Sequence, residues 1–199
     1  MSSYSNILDH VRRWEGGEVY FENEKQWTNR GVQWTTYKAL APKLLGIANP
    51  TVEGLRSMSA DQADKFIVQF WNTATDNSAI TNQASANAFF EMLWGGGRSG
   101  IKWLQKVIGV YPDGRVGSKT VAAANKFDPE TLLKEVLKRY EYLAKTNPSE
   151  YGEYNESKQY FVKGDDLLKK SVENNTNSNI LQVAAVFSVG FVLYKLITK

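Results

Sequence analysis

Between Ile7 and about Lys145, apolar side chains recur three and four positions apart, and strict alternation of apolar with polar residues is nearly absent. That spacing puts them on one stripe of a helix, whereas a half-buried strand needs strict alternation, so the chain is expected to be mainly α. Ile7, Leu8, Val11 and Trp14 predict an amphipathic helix over 6–15, with Ser5 or Asn6 as cap and Gly16 and Gly17 ending it. Trp34, Tyr37, Leu40, Leu44 and Leu45 predict a second helix, strained or split by Pro42. Ser59-Ala-Asp-Gln62 has the form of a capping box and opens a helix through Phe66, Ile67, Phe70 and Trp71. Another is expected over 82–94, stopped by Gly95 to Gly97, and one around Ile101, Leu104, Val107 and Ile108. After the turn signal Pro112-Asp-Gly114, Ser118 can cap a short helix, and Asp128-Pro129-Glu130 starts the next with Pro at its first position. Residues 18–33 break the helical period, and an irregular loop or short hairpin is expected there.

The C-terminal fifth has a different character. The polar run ENNTNSN over 173–179 reads as a linker. Behind it, Ile180 to Tyr194 carries no charge, and a helix over 180–197 spans about 27 Å at 1.5 Å per residue. That length approaches a hydrocarbon core of about 30 Å, so a transmembrane helix is expected, with Lys195 and Lys199 snorkelling at its end. A buried C-terminal helix of the globular body is the alternative. With those two lysines set aside, residues 1–178 carry 22 basic and 21 acidic groups, a balance that leaves no footprint for nucleic acid. The chain has no cysteine, and its N-terminus shows no apolar stretch of signal-peptide length.

Chemistry concentrates in RRWEGGEVYFENEKQWTNRG, from Arg12 to Gly31, which holds four carboxylates. Glu15 falls in the last turn of the first helix, at the negative pole of its dipole and beside apolar Trp14; both favour the neutral carboxyl that a general acid requires. Gly16 and Gly17 permit a left-handed turn and leave room for a bulky ligand. A returning loop can bring Glu24, Thr28 and Asn29 to face Glu15, as glycoside hydrolysis demands of a second carboxylate or a positioned water. Trp27, Trp34, Trp94, Tyr20 and Tyr37 are candidate planes for stacking on a pyranose ring. Trp71 and Trp103 share helix positions with apolar residues and are expected in the core. His10, the sole histidine, is expected on a charged helix surface. Gly95 to Lys102 lacks the Lys-Ser/Thr pair of a phosphate loop, and Asp113 to Gly117 reads as a turn rather than a calcium loop. No serine has a histidine partner indicated by the sequence, so triad chemistry is unsupported.

These motifs carry a resemblance. Trp-Glu-Gly-Gly-x-Val at 14–19, then Thr-Asn-x-Gly-Val at 28–32 with Thr36-Tyr37 nearby, resembles the N-terminal signature of the glycoside hydrolase family 108 lysozymes, N-acetylmuramidases of phage and bacterial origin. Phe70-Trp71-Asn72 stands where that family has Tyr-Trp-Asp. SGIKWLQKVIGVYPDGRVGSKTVAAAN is similar to the helical peptidoglycan-binding segment that usually follows. The resemblance implies a lysozyme-like helical bundle, with 1–94 as catalytic half and 95–172 as a peptidoglycan-binding half packed on it. It further implies Glu15 as catalytic acid in cleavage of the β-1,4 bond between N-acetylmuramic acid and N-acetylglucosamine, without metal or organic cofactor. The chain departs from the family between Tyr20 and Trp27, one residue shorter, where Glu24 aligns best with the second acid. It departs again at Leu93-Trp94-Gly95-Gly96, where the family has Val-Asn-x-Gly. Peptidoglycan strands and the membrane are the expected partners, with a holin or other export helper in place of a signal peptide, and the protein is expected at the bacterial membrane or cell wall. The alternatives are a peptidoglycan-binding module that has lost the chemistry and a membrane-tethered secretion or assembly factor.

Overall fold

The structure, a computed structural model, describes residues 1–15, 17–21 and 25–146. The expected second acid, Glu24, the linker 173–179 and the apolar segment 180–197 lie outside the described residues. Among the described residues, seven helices and one small sheet follow in the order α1 Ser5–Trp14, β1 Glu18–Phe21, β2 Gln26–Asn29, β3 Val32–Gln33, α2 Trp34–Leu45, α3 Val52–Arg56, α4 Ala60–Thr75, α5 Gln83–Val107, α6 Ser118–Ala124 and α7 Pro129–Thr146. The irregular stretch near 18–33 is thus a three-stranded antiparallel sheet, ordered β1-β2-β3. Its strands are too short for alternation to register in the sequence.

Local signals explain most helix ends. Ser59 and Gln62 form both halves of the capping box at α4. Pro42 is accommodated inside an unbroken α2, and Asp128 accepts from the Thr131 amide and hydroxyl at the start of α7. That charged acceptance holds the Asp128 carboxyl below its ordinary range. At α1 the N-cap is Tyr4, with no side-chain bond, instead of Ser5 or Asn6. Ser118 is the first residue of α6 rather than its cap, which is Gly117. The Asp113 turn is closed by Gln105, whose amide donates to the Asp113 carboxylate and the Arg115 carbonyl and whose own carbonyl accepts from the Gly114 amide.

Two apolar clusters build the interior. The larger joins Ile7 and Val11 of α1 to Ile67, Trp71 and Ala74 of α4, Phe89 and Phe90 of α5, and Leu132, Val136 and Tyr140 of α7. The smaller gathers Val32, Tyr37, Ala41, Leu55, Met58, Ala63 and Phe66 beneath the sheet. Consecutive residues Phe66 and Ile67 face different clusters, so α4 is the wall between them, and Trp94 packs against both.

Helix α5 does not run straight. Gly97 has φ 53° and ψ −140°, a backbone state strained for any L side chain, and there the helix breaks into two arms. The arms press together so closely that a Cβ on Gly100 would lie 2.0 Å from the Met92 carbonyl oxygen. The glycine run expected to stop the helix does so, and the two arms of α5 are two helices joined at Gly97.

His10 is a correction. It is not on a charged surface: it is 2% exposed, with Nε2 3.3 Å from the carboxylate of Glu91, which is 4% exposed. The Tyr140 hydroxyl donates to the same carboxylate. The helical stripe of α1 includes position 10 beside Ile7 and Val11, and a buried acid on α5 makes a polar residue acceptable there. Replacing Glu91 with Ala should lower stability by about 3–5 kcal/mol, the range for stripping one partner from a buried polar pair, as read by denaturant titration. Gly100→Ala should lower it by about 3 kcal/mol or more through overpacking against backbone; an unchanged midpoint would refute the close crossing.

Candidate active site

Glu15 stands where α1 ends. Its amide still bonds the Val11 carbonyl, while φ −100° and ψ 74° turn the chain out of the helix. Gly17, at φ 69°, adopts the left-handed state and leads directly into β1. The half-buried Glu15 side chain lies against the turn between β2 and β3. That turn, Asn29-Arg30-Gly31-Val32, has positive φ at both central residues, 50° and 75°, the signature of a two-residue type I′ hairpin.

Gly31 is required twice over. Beyond its φ, a Cβ there would sit 2.7 Å from Cζ2 of Trp94 and 3.0 Å from Cγ of Glu15. The hairpin tip, the acid and the indole are thus in mutual contact. Trp94 stacks on Phe90 with centroids 5.7 Å apart, meets Phe70 edge-on at 5.1 Å, and directs Nε1–H to Oε1 of Glu15 at 3.4 Å. Three further bonds hold the hairpin in place: the Arg30 backbone amide to the Gly17 carbonyl, 3.1 Å, and the Asn29 side-chain amide to the carbonyls of Leu55 and Arg56, 2.9 and 3.0 Å.

Register sorts the remaining candidates. Glu18 pairs with Asn29, Tyr20 with Trp27, and Asn29 with Val32, so these five share one face of the sheet. That face packs on α3: the Arg56 guanidinium lies 4.4 Å from the Trp27 ring centroid and bonds the Glu18 carboxylate at 2.7 Å. The bond holds Glu18 below its ordinary carboxyl range. Val19, Gln26, Thr28 and Gln33 occupy the opposite face. The Thr28 hydroxyl is buried there without a hydrogen-bond partner.

The structure therefore brings Glu15, Trp94 and Gly31 together and does not place Tyr20 or Trp27 on the face that carries Thr28. Trp27 is covered by Arg56 and Tyr20, with ring centroids of the last pair 5.3 Å apart. Two expected sugar contacts are corrected outright. Asn29, 4% exposed, spends its amide on α3. Tyr37, 1% exposed, stacks on Phe66 at 5.9 Å, and burial raises its phenol pKa. Trp34 is partly buried against Tyr37 and the smaller cluster. Trp71 is in the core as expected, whereas Trp103 is only partly buried. Gln33, directly across from Thr28, was not singled out by sequence reasoning; a two-residue strand offers no periodicity from which to find it. Among the described residues no group of His, Cys, Asp and Glu is placed to hold a metal ion, and no helix is long and apolar enough to cross a membrane.

Gly31→Ala should lower stability by about 1–3 kcal/mol, combining left-handed strain with overpacking, and should alter the near-ultraviolet dichroism of Trp94. A variant with native spectrum and native midpoint would contradict the three-way contact.

Residues 99–164 match the family model described as a Predicted Peptidoglycan domain; the part beyond residue 146 lies outside the described residues. No curated protein matches the chain. Among solved structures, Brucella abortus SagA is similar, with 21% sequence identity, a TM-score of 0.69 and an alignment covering 88% of this chain and 97% of that one. At that identity the likeness is one of fold. The family match gives the chain a peptidoglycan-related segment, carried on a mainly helical fold shared with that structure.

Proposed function

We propose that the protein is a peptidoglycan hydrolase, a muramidase that cleaves the β-1,4 bond between N-acetylmuramic acid and N-acetylglucosamine with Glu15 as general acid. The single observation that carries this reading is the seating of Glu15: a half-buried carboxyl group at a helix C-terminus, wedged between the Gly31 turn and the Trp94 indole. The peptidoglycan-related segment over 99–164 supports the substrate class.

In this mechanism the Glu15 carboxyl, which faces Trp94 Nε1, delivers its proton to the glycosidic oxygen as the bond to C1 breaks, leaving an oxocarbenium-like sugar. A water molecule completes the reaction at C1, deprotonated by Glu24; Thr28, the third residue of the proposed set, has its hydroxyl buried without a partner. Trp34 and Trp94, each partly exposed, remain the sugar-stacking candidates, with Tyr20 and Trp27 on the face of the sheet that packs on α3. Residues 1–94 constitute the catalytic half and 95–172 the wall-binding half, and the apolar segment 180–197 anchors the protein in the membrane.

Digestion of purified peptidoglycan, with products analysed by mass, tests the reading. Glu15→Gln should lower muropeptide release at least about 100-fold, the lower bound for losing a general acid, with its melting temperature retained. Equal release by both proteins rejects Glu15. Retention of wild type on insoluble peptidoglycan without any new reducing ends favours a binding module instead, the reading supported by the altered stretch between Tyr20 and Trp27.

A further inference from the structure

Away from Glu15, the second arm of α5 meets α7 in a cluster that no step of the mechanism uses. The guanidinium carbon of Arg139 lies 5.3 Å from the ring centroid of Trp103 and 5.5 Å from that of Tyr142, and the two rings are 5.9 Å apart. Two donors in this cluster, Trp103 Nε1 and Arg139 Nε, are shut off from solvent and have no acceptor. Orphaned buried donors are destabilising, and two in one place indicate a missing acceptor rather than a packing device. Arg139 Nη2 has only a 3.4 Å contact with Ser99 Oγ, whose own hydrogen is directed to the Gly96 carbonyl at 2.7 Å. The carboxylate one turn back on α7, Glu135, is already paired with Lys138. Exposed Lys102 and Lys106 flank Trp103 and make the neighbourhood positive.

We infer that Trp103, Arg139 and Tyr142 form a binding site for a carboxylate, that of the stem peptide borne by the glycan; the identity of this ligand rests on the peptidoglycan reading above. Once turned off the rings, an arginine whose Nε and Nη2 lack a strong acceptor offers the side-on fork that suits the two oxygens of a carboxylate. Trp103 Nε1 supplies a third donor. The weak Ser99 contact is the only hydrogen bond the guanidinium must release to turn off the rings toward a ligand, and Tyr142, 48% exposed, gives it an open side.

Titration of the full chain in mild detergent, followed by nitrogen-15 NMR, tests the site. The probes are a soluble stem tetrapeptide, the same peptide with its carboxylates amidated, and an N-acetylglucosamine tetramer. The Trp103 indole signal, identified by its absence in Trp103→Phe, and the Arg139 Nε signal should move saturably with the acidic peptide alone. Arg139→Gln should weaken binding at least 10-fold, and Arg139→Lys, which keeps the charge and loses the fork, should weaken it too. Equal response to the amidated peptide, response of those two signals to the sugar, or unchanged affinity in Arg139→Gln overturns the site. If Arg139→Gln fails to fold, the comparison of acidic and amidated peptide on wild type decides alone. Glu15→Gln should retain peptide binding. Absent digestion by wild type with peptide binding intact thus rejects the muramidase and not this site, while digestion with a silent titration does the reverse.

Discussion

The carboxylate of Glu91, set in the middle of an apolar cluster, binds three helices into one arrangement. It faces His10 on α1 and accepts from Tyr140 on α7, while belonging itself to α5. A buried polar group of this kind contributes little net stability when satisfied and a large penalty when its partners slide away. Alternative registers among α1, α5 and α7 are penalised in proportion. Glu15 lies five residues after His10 on α1, and Trp94 three residues after Glu91 on α5, so the same tie sets the distance between the acid and its indole.

Glycines then allow backbone to come closer than side chains would permit. Gly31 lets the hairpin tip touch both Glu15 and Trp94, and Gly100 lets the second arm of α5 press against the Met92 carbonyl. One contact shapes the proposed catalytic cleft. The other folds α5 back so that its second arm, with Trp103, meets Arg139 and Tyr142 of α7. Because one kinked helix carries both Trp94 and Trp103, the proposed sites for sugar and for stem peptide are set along a single element, with Gly97 between them.

Much of this architecture was legible in the sequence. Every helix but α3, the Ser59 capping box, the Asp128-Pro129 start and the break near Gly97 follow from short-range chemistry, since a cap or a turn involves residues three or four apart. The sheet was not legible as strands, because two to four residues cannot display alternation. His10 was misplaced for a different reason: a polar side chain in a helix is assigned to solvent unless its buried partner is known, and Glu91 is 81 residues away. Asn29 and Tyr37 illustrate the same limit. Their residue types suit sugar binding, and only the position of α3 and Phe66 commits them to the interior.

By itself, then, the sequence determined the helical character of the chain, the places where its helices begin and break, and the residue types available near Glu15, since each depends on spacing within a turn or two. Tertiary structure alone decided which of those residues meet. Thr28 and Trp27 are adjacent in the chain and face opposite sides of the sheet, whereas Glu15 and Trp94 are 79 residues apart and share a hydrogen bond. Contacts of that separation arise from helix packing and strand register, which no local pattern encodes.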